Sequence, residues 1–273
     1  MHFRVEASGP ALSDTAVGAI CGVSTKISGI PCKAKNKLLK LTEQVKTATA
    51  LVKMLQVKAA MTEDSTTQTA CNAIAIAATQ EAQSSLLNLN GAIGSAINAA
   101  AVAQEVRGRI DEYISLLRDA QGTGNNGGYC LASGGGNHPQ QAAIGQSCTI
   151  TDRKFNLESA DITNDELDAT GIKGATPVPD GAGKSNGAAS CVLHQHAGAS
   201  DAARFHQKQK TYKVLSGLVK ITNAAGSTTI AIADLGTIAN NGVAENGKPL
   251  AYLYTAIKDL KDAPATPPSE TVE

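Results

Sequence analysis

The chain has 273 residues, and its 24 basic and 24 acidic side chains cancel. Lys and Arg are concentrated nowhere beyond Lys33 to Lys40, so the cationic surface that nucleic acid demands is missing. Much of the apolar share of 42% is alanine, with no Trp, three Phe and five Tyr to fill a wide interior. Small side chains let helices approach closely but bury little area each. At about 25 cal/mol per Å², stability must then accumulate along a long interface or come from crosslinks.

In chain order, Pro10, Ser13 and Asp14 offer helix-initiation chemistry for a segment from Ala11 to about Ser28, which Gly29 and Pro31 end. Leu38, Leu41, Val45, Ala48, Val52, Leu55 and Ala59 then recur at steps of three and four. That heptad seam predicts a helix from Lys33 to Met61. Asp64, Ser65 and Thr66 break the pattern and provide caps for a second helix from Thr67 to Ala120. Its seam reads Ala82, Leu86, Leu89, Ile93, Ala96, Ala100 and Ala103. An extra step of three to Val106 follows, a stammer in the supercoil, before Ile110, Tyr113 and Leu117. Gly91, Gly94 and Gly108 each cost helix propensity and predict a close backbone neighbour. The two consecutive seams fold on each other as an intramolecular hairpin, a rod about 80 Å long at 1.5 Å per residue.

From Gly122 to Gln146 the composition turns to Gly, Asn and Ser. Tyr129 to Leu131 and Ser147 to Thr151 read as short strands, Asn164 to Ala169 as one helical turn, and Gly171 to Ser190 as loop. Thr211 to Thr222 is β-prone, Thr228 to Ile238 mixes strand and helix features, and Tyr252 to Leu260 reads as a terminal helix. The Ala-Pro-Ala-Thr-Pro-Pro that follows Asp262 reads as a disordered tail or stalk.

Six cysteines, Cys21, Cys32, Cys71, Cys130, Cys148 and Cys191, lie far apart with no CxxC pair. An even count at wide spacing predicts disulfides and an oxidising compartment, with fifteen pairings open if all six are bridged. No signal peptide, membrane span or lipid-attachment tail is legible, and no Asn-x-Ser/Thr acceptor occurs.

Three motifs tempt and fail. Gly122 to Gly127 fits GxGxxG, but it follows a helix where the phosphate-binding version follows a strand. Gly181-Ala182-Gly183-Lys184-Ser185 resembles the end of a Walker A loop, yet Val178 stands where its first glycine belongs. His194 and His196, with His206 further on, lack an acidic or thiolate ligand to complete a metal set, since Cys191 is better employed in a disulfide. Nothing like GxSxG or a paired carboxylate accompanies them. The expectation is therefore no catalytic, cofactor-binding or metal residues, and no enzyme.

The run Gly108-Arg109-Ile110-Asp111-Glu112-Tyr113-Ile114, then Tyr129-Cys130-Leu131 and Cys148-Thr149, resembles the variant surface glycoproteins of African trypanosomes, in particular their B class. Ala11-Leu12 to Cys21, the Lys-rich second segment and Tyr212 to Leu218 are also similar, so the resemblance runs from Ala11 to Leu260. It implies a mainly α fold: an elongated antiparallel long-helix hairpin with a loop-rich head carrying short β-strands and disulfides. The expected division is an N-terminal extension at 1–10 and one ectodomain at 11–262, its helical core at 11–120 and its head and return segments at 121–262. A Pro-rich tail at 263–273 would lead to a glycolipid-anchored domain, and residues 1–7 are uninformative. The resemblance further implies a cell-surface coat that shields invariant proteins, with antibodies reaching head loops at Gly122 to Ser147 and Gly171 to Lys210. Homo-oligomers are an expected form. The chain is shorter than is usual for such an ectodomain, which resembles the serum-resistance-associated members that bind the host trypanolytic apolipoprotein. A receptor for another serum protein is a further alternative, and a ligand-binding member is expected in the flagellar pocket and endosomes.

Overall fold

The structure is a computed structural model that describes residues 9–120, 128–132, 148, 160–184, 191–194, 210–224 and 227–264. The chain divides into two compact units. One comprises residues 30–101, 155–162 and 256–273, and the other 1–29, 102–154 and 163–255. The head loop expected at 122–147 and the tail beyond 264 lie outside the described residues, apart from 128–132.

The first unit is built on an antiparallel hairpin of α2 (Ile30–Met61) and the N-terminal part of α3 (Ser65–Asp119). Pro31 sits in the first turn of α2, where its missing N–H costs nothing. The start of α3 is capped by Asp64, whose carboxylate accepts from Thr67 N at 2.9 Å and Thr66 N at 3.3 Å. The side-chain hydroxyl of Thr67, and then its backbone N–H, hold the Asp64 carboxyl below its ordinary pKa. Across the turn, Gln68 Nε2 donates to the Ala59 carbonyl at 3.2 Å.

The helices stand where the spacing places them, and Ala96, Ala103, Val106, Ile110 and Leu117 of the expected α3 seam are buried, but the line through Leu86, Ile93 and Ala100 is displaced by one residue to Ser85, Ala92 and Ala99. Leu86 and Ile93 are 47% and 38% exposed, whereas Cys71, Ala75, Ala78, Ser85, Ala92, Ala96 and Ala99 are buried. The small residues face inward because they permit close helix approach, and the larger apolar ones are left outside. From Ala92 the buried residues continue through Ala96, Ala99, Ala103, Val106 and Ile110 in alternating steps of four and three. The stammer expected between Ala103 and Val106 is thus absent. Among the described residues nothing lies within 4 Å of a Cβ built on Gly91, Gly94 or Gly108, so the expected close backbone neighbour is not found there. An 18-residue window of α3 has a mean hydropathy of 1.3, enough by length and composition to cross a membrane, which the sequence reading did not register.

Three of the clustered lysines serve this unit internally. Lys33 Nζ donates to the Asp161 carbonyl at 3.3 Å and Lys40 pairs with the Asp161 carboxylate at 2.8 Å. Lys37 Nζ donates to the carbonyls of Leu260 and Lys261.

The second unit opens with β1 (Leu12–Ser13) and α1 (Asp14–Ile27). Ser13 caps α1 by accepting from Ala16 N at 3.2 Å. Val17, Ile20, Val23 and Ile27 of α1 are buried, as are Ile110, Ile114 and Leu117 from the end of α3. β1 pairs in parallel with β2 (Leu131–Ala132), Leu12 opposite Leu131. An antiparallel sheet follows in the order β3 (Thr211–Val214), β4 (Val219–Ala224), β5 (Ser227–Ile232), with Tyr212 opposite Ile221 and Ile221 opposite Ile230. The β-prone stretch at 211–222 is therefore two strands. They are joined through Leu215, Ser216 and Gly217, all with positive φ. The ambiguous 228–238 stretch is strand to Ile232, then turns. Asn164 to Ala169 forms a hydrogen-bonded turn and an isolated bridge from Leu167 to Ile172. A small hairpin, β6 (Ala239–Asn240) and β7 (Val243–Ala244), precedes α4 (Ala251–Asp262). Within this unit Tyr254 of α4 donates its hydroxyl to the Asp168 carbonyl at 2.7 Å.

Candidate functional site

Disulfides connect Cys21 with Cys148 and Cys130 with Cys191. Cys32 and Cys71 are free and buried, which corrects the expectation that all six are bridged. Cys32 lies in the first turn of α2 and Cys71 in the second turn of α3, at opposite ends of the hairpin. They are roughly 35 Å apart along it at 1.5 Å per residue, whereas a disulfide needs its Cα atoms within about 7 Å.

Between Cys130 and Cys191 runs the buried N-terminal segment Gly9 to Ser13. Leu12 N donates to Cys130 O at 2.8 Å, Cys191 N donates to Gly9 O at 2.8 Å, and Ser13 N donates to Gly183 O at 2.9 Å. His194, in a 3₁₀ turn from Val192 to His194, is 1% exposed and holds the same segment. Its Nδ1 lies 2.7 Å from the Pro10 carbonyl, and its Nε2 lies 3.1 Å from the Tyr113 hydroxyl. A carbonyl only accepts, so Nδ1 carries the proton and neutral Nε2 accepts from Tyr113. Burial pushes the Tyr113 phenol above its ordinary pKa, which keeps it a donor. Both imidazole nitrogens are thereby committed to structure. His196 and His206 lie outside the described residues. Among the described residues no cluster of His, Cys, Asp and Glu is placed to hold a metal.

The Walker-like loop is likewise structural where it is described, at 181–184. Gly183 N donates to Ile230 O at 3.1 Å, and Ser13 Oγ donates to Ala182 O at 3.1 Å. A Cβ on Gly183 would lie 2.5 Å from the Ile230 carbonyl oxygen, so this glycine allows a loop to meet the edge of β5. A phosphate cradle requires free N–H groups, and the Gly183 N–H is already spent on the sheet. The GxGxxG match at 122–127 lies outside the described residues.

Two polar arrangements were not legible in the sequence. Arg109 pairs with Glu105 one turn earlier and donates to Ser216 Oγ at 3.0 Å, and that hydroxyl is 3.2 Å from Tyr252 OH. The Asp168 carboxylate pairs with Lys173 at 2.7 Å and accepts from Thr170 N at 2.8 Å. Lys173, then the Thr170 backbone, hold its pKa well below the usual carboxylate range. Both serve to fix turns, and neither presents a nucleophile beside a base.

The two long helices also carry outward-facing apolar residues. Leu51, Met54, Val57 and Met61 recur along one side of α2 at 40–81% exposure. On α3, Ile74, Ile76, Leu87 and Ile97 are more than half exposed. A surface of this kind supplies contact area and no chemistry.

A family model described as Trypanosome variant surface glycoprotein (A-type) matches residues 4–273. The solved structure of MITat 1.1 shares the fold with a TM-score of 0.63, at 19% identity over 94% of this chain and 68% of that one. No curated protein matches the chain by sequence. The matching description names the A-type, whereas the motif resemblance pointed to the B class. Matched over nearly its whole length by that family model, the chain belongs to the trypanosome variant surface glycoprotein family.

Proposed function

We propose that this protein is a non-enzymatic coat protein of the trypanosome surface, which shields the cell and supports antigenic variation. The observation that carries this reading is the family match across residues 4–273. The architecture agrees with it. Its polar clusters are spent on turns, caps and clasps, and its long helices supply length and side area for dense packing. The role is physical: neighbouring copies exclude antibodies from what lies beneath, and exposed loops take the immune response.

Attachment through a glycolipid-anchored C-terminal domain, and antibody contact at the 122–147 and 171–210 loops, belong to this proposal. So does self-association. The line of Leu51, Met54, Val57 and Met61 on α2 is apolar and uncovered in the single chain, which supports burial against another copy. Within the family we adopt the A-type, supported by the description of the matching model.

Live-cell labelling of an epitope-tagged copy tests the reading. A coat protein labels the whole surface evenly. Concentration in the flagellar pocket and endosomes would overturn it in favour of a ligand-binding member. Titration with the host trypanolytic apolipoprotein by calorimetry would then separate the serum-resistance type from a receptor for another serum protein.

A further inference from the structure

The buried segment Gly9 to Ser13 lies between the two stretches of chain that the Cys130–Cys191 disulfide joins. One flank is Cys130 itself, whose carbonyl accepts from Leu12 N at 2.8 Å. The other is Cys191 itself, whose N–H donates to Gly9 O at 2.8 Å. The half-cystines thus grip the same strap through their own backbones, and their Cα atoms are 4.6 Å apart. His194, three residues past Cys191, adds its bond to Pro10 O at 2.7 Å, and β2 begins directly after Cys130. All of these partners are more than 100 residues from the strap in sequence, so local structure cannot bring them together.

We propose that the N-terminal strap and the Cys130–Cys191 crosslink form one coupled clasp, in which docking of the strap selects that disulfide from the alternatives. A strap bonded to both backbones raises the effective concentration of one thiol at the other. Among the described residues the same segment gives no comparable backbone bond to Cys21 or Cys148, which therefore serve as an internal control. Formation of the bond is an ordinary exchange. The two thiols lose two protons and pass two electrons to a small-molecule disulfide such as oxidised glutathione, which leaves as two thiols. Coupling is reciprocal, so the crosslink must stabilise the docked strap by the factor with which the strap favours the crosslink.

The test refolds the full chain from its reduced state in a glutathione buffer and maps the disulfides by mass spectrometry. Leu12→Pro removes the N–H that Cys130 accepts. The expected result is a fall of at least about fivefold in the Cys130–Cys191 bond relative to mispaired or free forms, the least that losing the hydrogen bond together with the buried Leu12 side chain would give. Cys21–Cys148 is expected to form as before. An unchanged yield of Cys130–Cys191 would overturn the proposal. Should both disulfides fail together, the reverse measurement decides. In the full chain carrying Cys130→Ser and Cys191→Ser, hydrogen exchange at the Leu12 amide should speed up by the same factor while Ile110 in α3 is unaffected. Equal protection of Leu12 with and without the crosslink would refute the coupling.

Discussion

The ammonium of Lys37 lies 2.7 Å from the carbonyl oxygen of Leu260, so a side chain of α2 caps the C-terminal end of α4. A second bond at 2.9 Å reaches the Lys261 carbonyl. A helix ends in carbonyls without partners, and a cation there answers both their hydrogen-bonding need and the negative end of the macrodipole. Lys37 is only 8% exposed, so replacing it with Met removes the donor from the buried Leu260 carbonyl and the half-buried Lys261 carbonyl. Lys37→Met should lower stability by about 1–3 kcal/mol and deprotect the last turn of α4 in hydrogen exchange.

The same contact has a pH signature. Burial, opposed by Asp161 and Asp262, lowers the Lys37 pKa from 10.5. The unfolded chain therefore holds this proton to higher pH than the folded one, and stability rises with pH between the two values. The penalty for burying the cation is present at neutral pH and gone above 10.5. Wild type should thus gain on Lys37→Met as pH climbs through the lowered value toward 10.5, and denaturant melts across that window check it. A gap that narrows would contradict the sign.

The seam of the hairpin gives a sharper test, because periodicity and burial disagree there. Ala92 and Ala96 are buried at 0% and 2% exposure, while Leu86 is 47% exposed. Ala92→Leu or Ala96→Leu should overpack the interface and cost about 1–3 kcal/mol. Leu86→Ala should stay within about 0.5 kcal/mol. Ser85 is fully buried and its hydroxyl has no hydrogen-bond partner among the described residues, so Ser85→Ala should be neutral or stabilising. Thermal melts of these variants decide which line faces inward.

That disagreement marks how far the sequence could be read. The ends of α2 and α3 were legible because caps and turn residues act locally: Asp64 binds the N–H groups two and three residues on. One line of the α3 seam, through Ala96, Ala103, Ile110 and Leu117, was legible too, and the other was not. A count of apolar residues weights Leu86 and Ile93 above Ala92 and Ser85, whereas close packing favours the small ones. The clasp residues were hidden for another reason. His194 meets Pro10 across 184 residues and Lys37 meets Leu260 across 223, and no spacing rule reaches that distance. The Walker-like loop had the opposite fault, a local pattern whose glycine serves the edge of a sheet.

Cysteine chemistry separates the structure from the simpler reading of the composition. Alkylation of unreduced, denatured protein should modify Cys32 and Cys71 alone and leave the other four protected. In native protein both thiols should react slowly, since they are 7% and 6% exposed. Peptide mapping that found a Cys32–Cys71 disulfide would contradict this hairpin, which holds the two thiols at opposite ends.

Two glycine-to-alanine changes should act in opposite directions. At Gly183 the new methyl would stand 2.5 Å from the Ile230 carbonyl oxygen and 2.9 Å from its carbon, both backbone atoms in β5. The loop or the strand must move, and the bond from Gly183 N to Ile230 O at 3.1 Å is strained with it. A loss of about 1–3 kcal/mol is expected. Gly108 sits in the interior of α3, exposed, with nothing among the described residues within 4 Å of its Cβ position. There alanine restricts the unfolded chain and improves helix propensity, for a gain of about 0.5–1 kcal/mol. Were Gly108→Ala destabilising in dilute solution, where the chain is alone, the position would need a neighbour that α3 does not have in this fold. A loss that instead appears only as concentration rises would place Gly108 against a second copy.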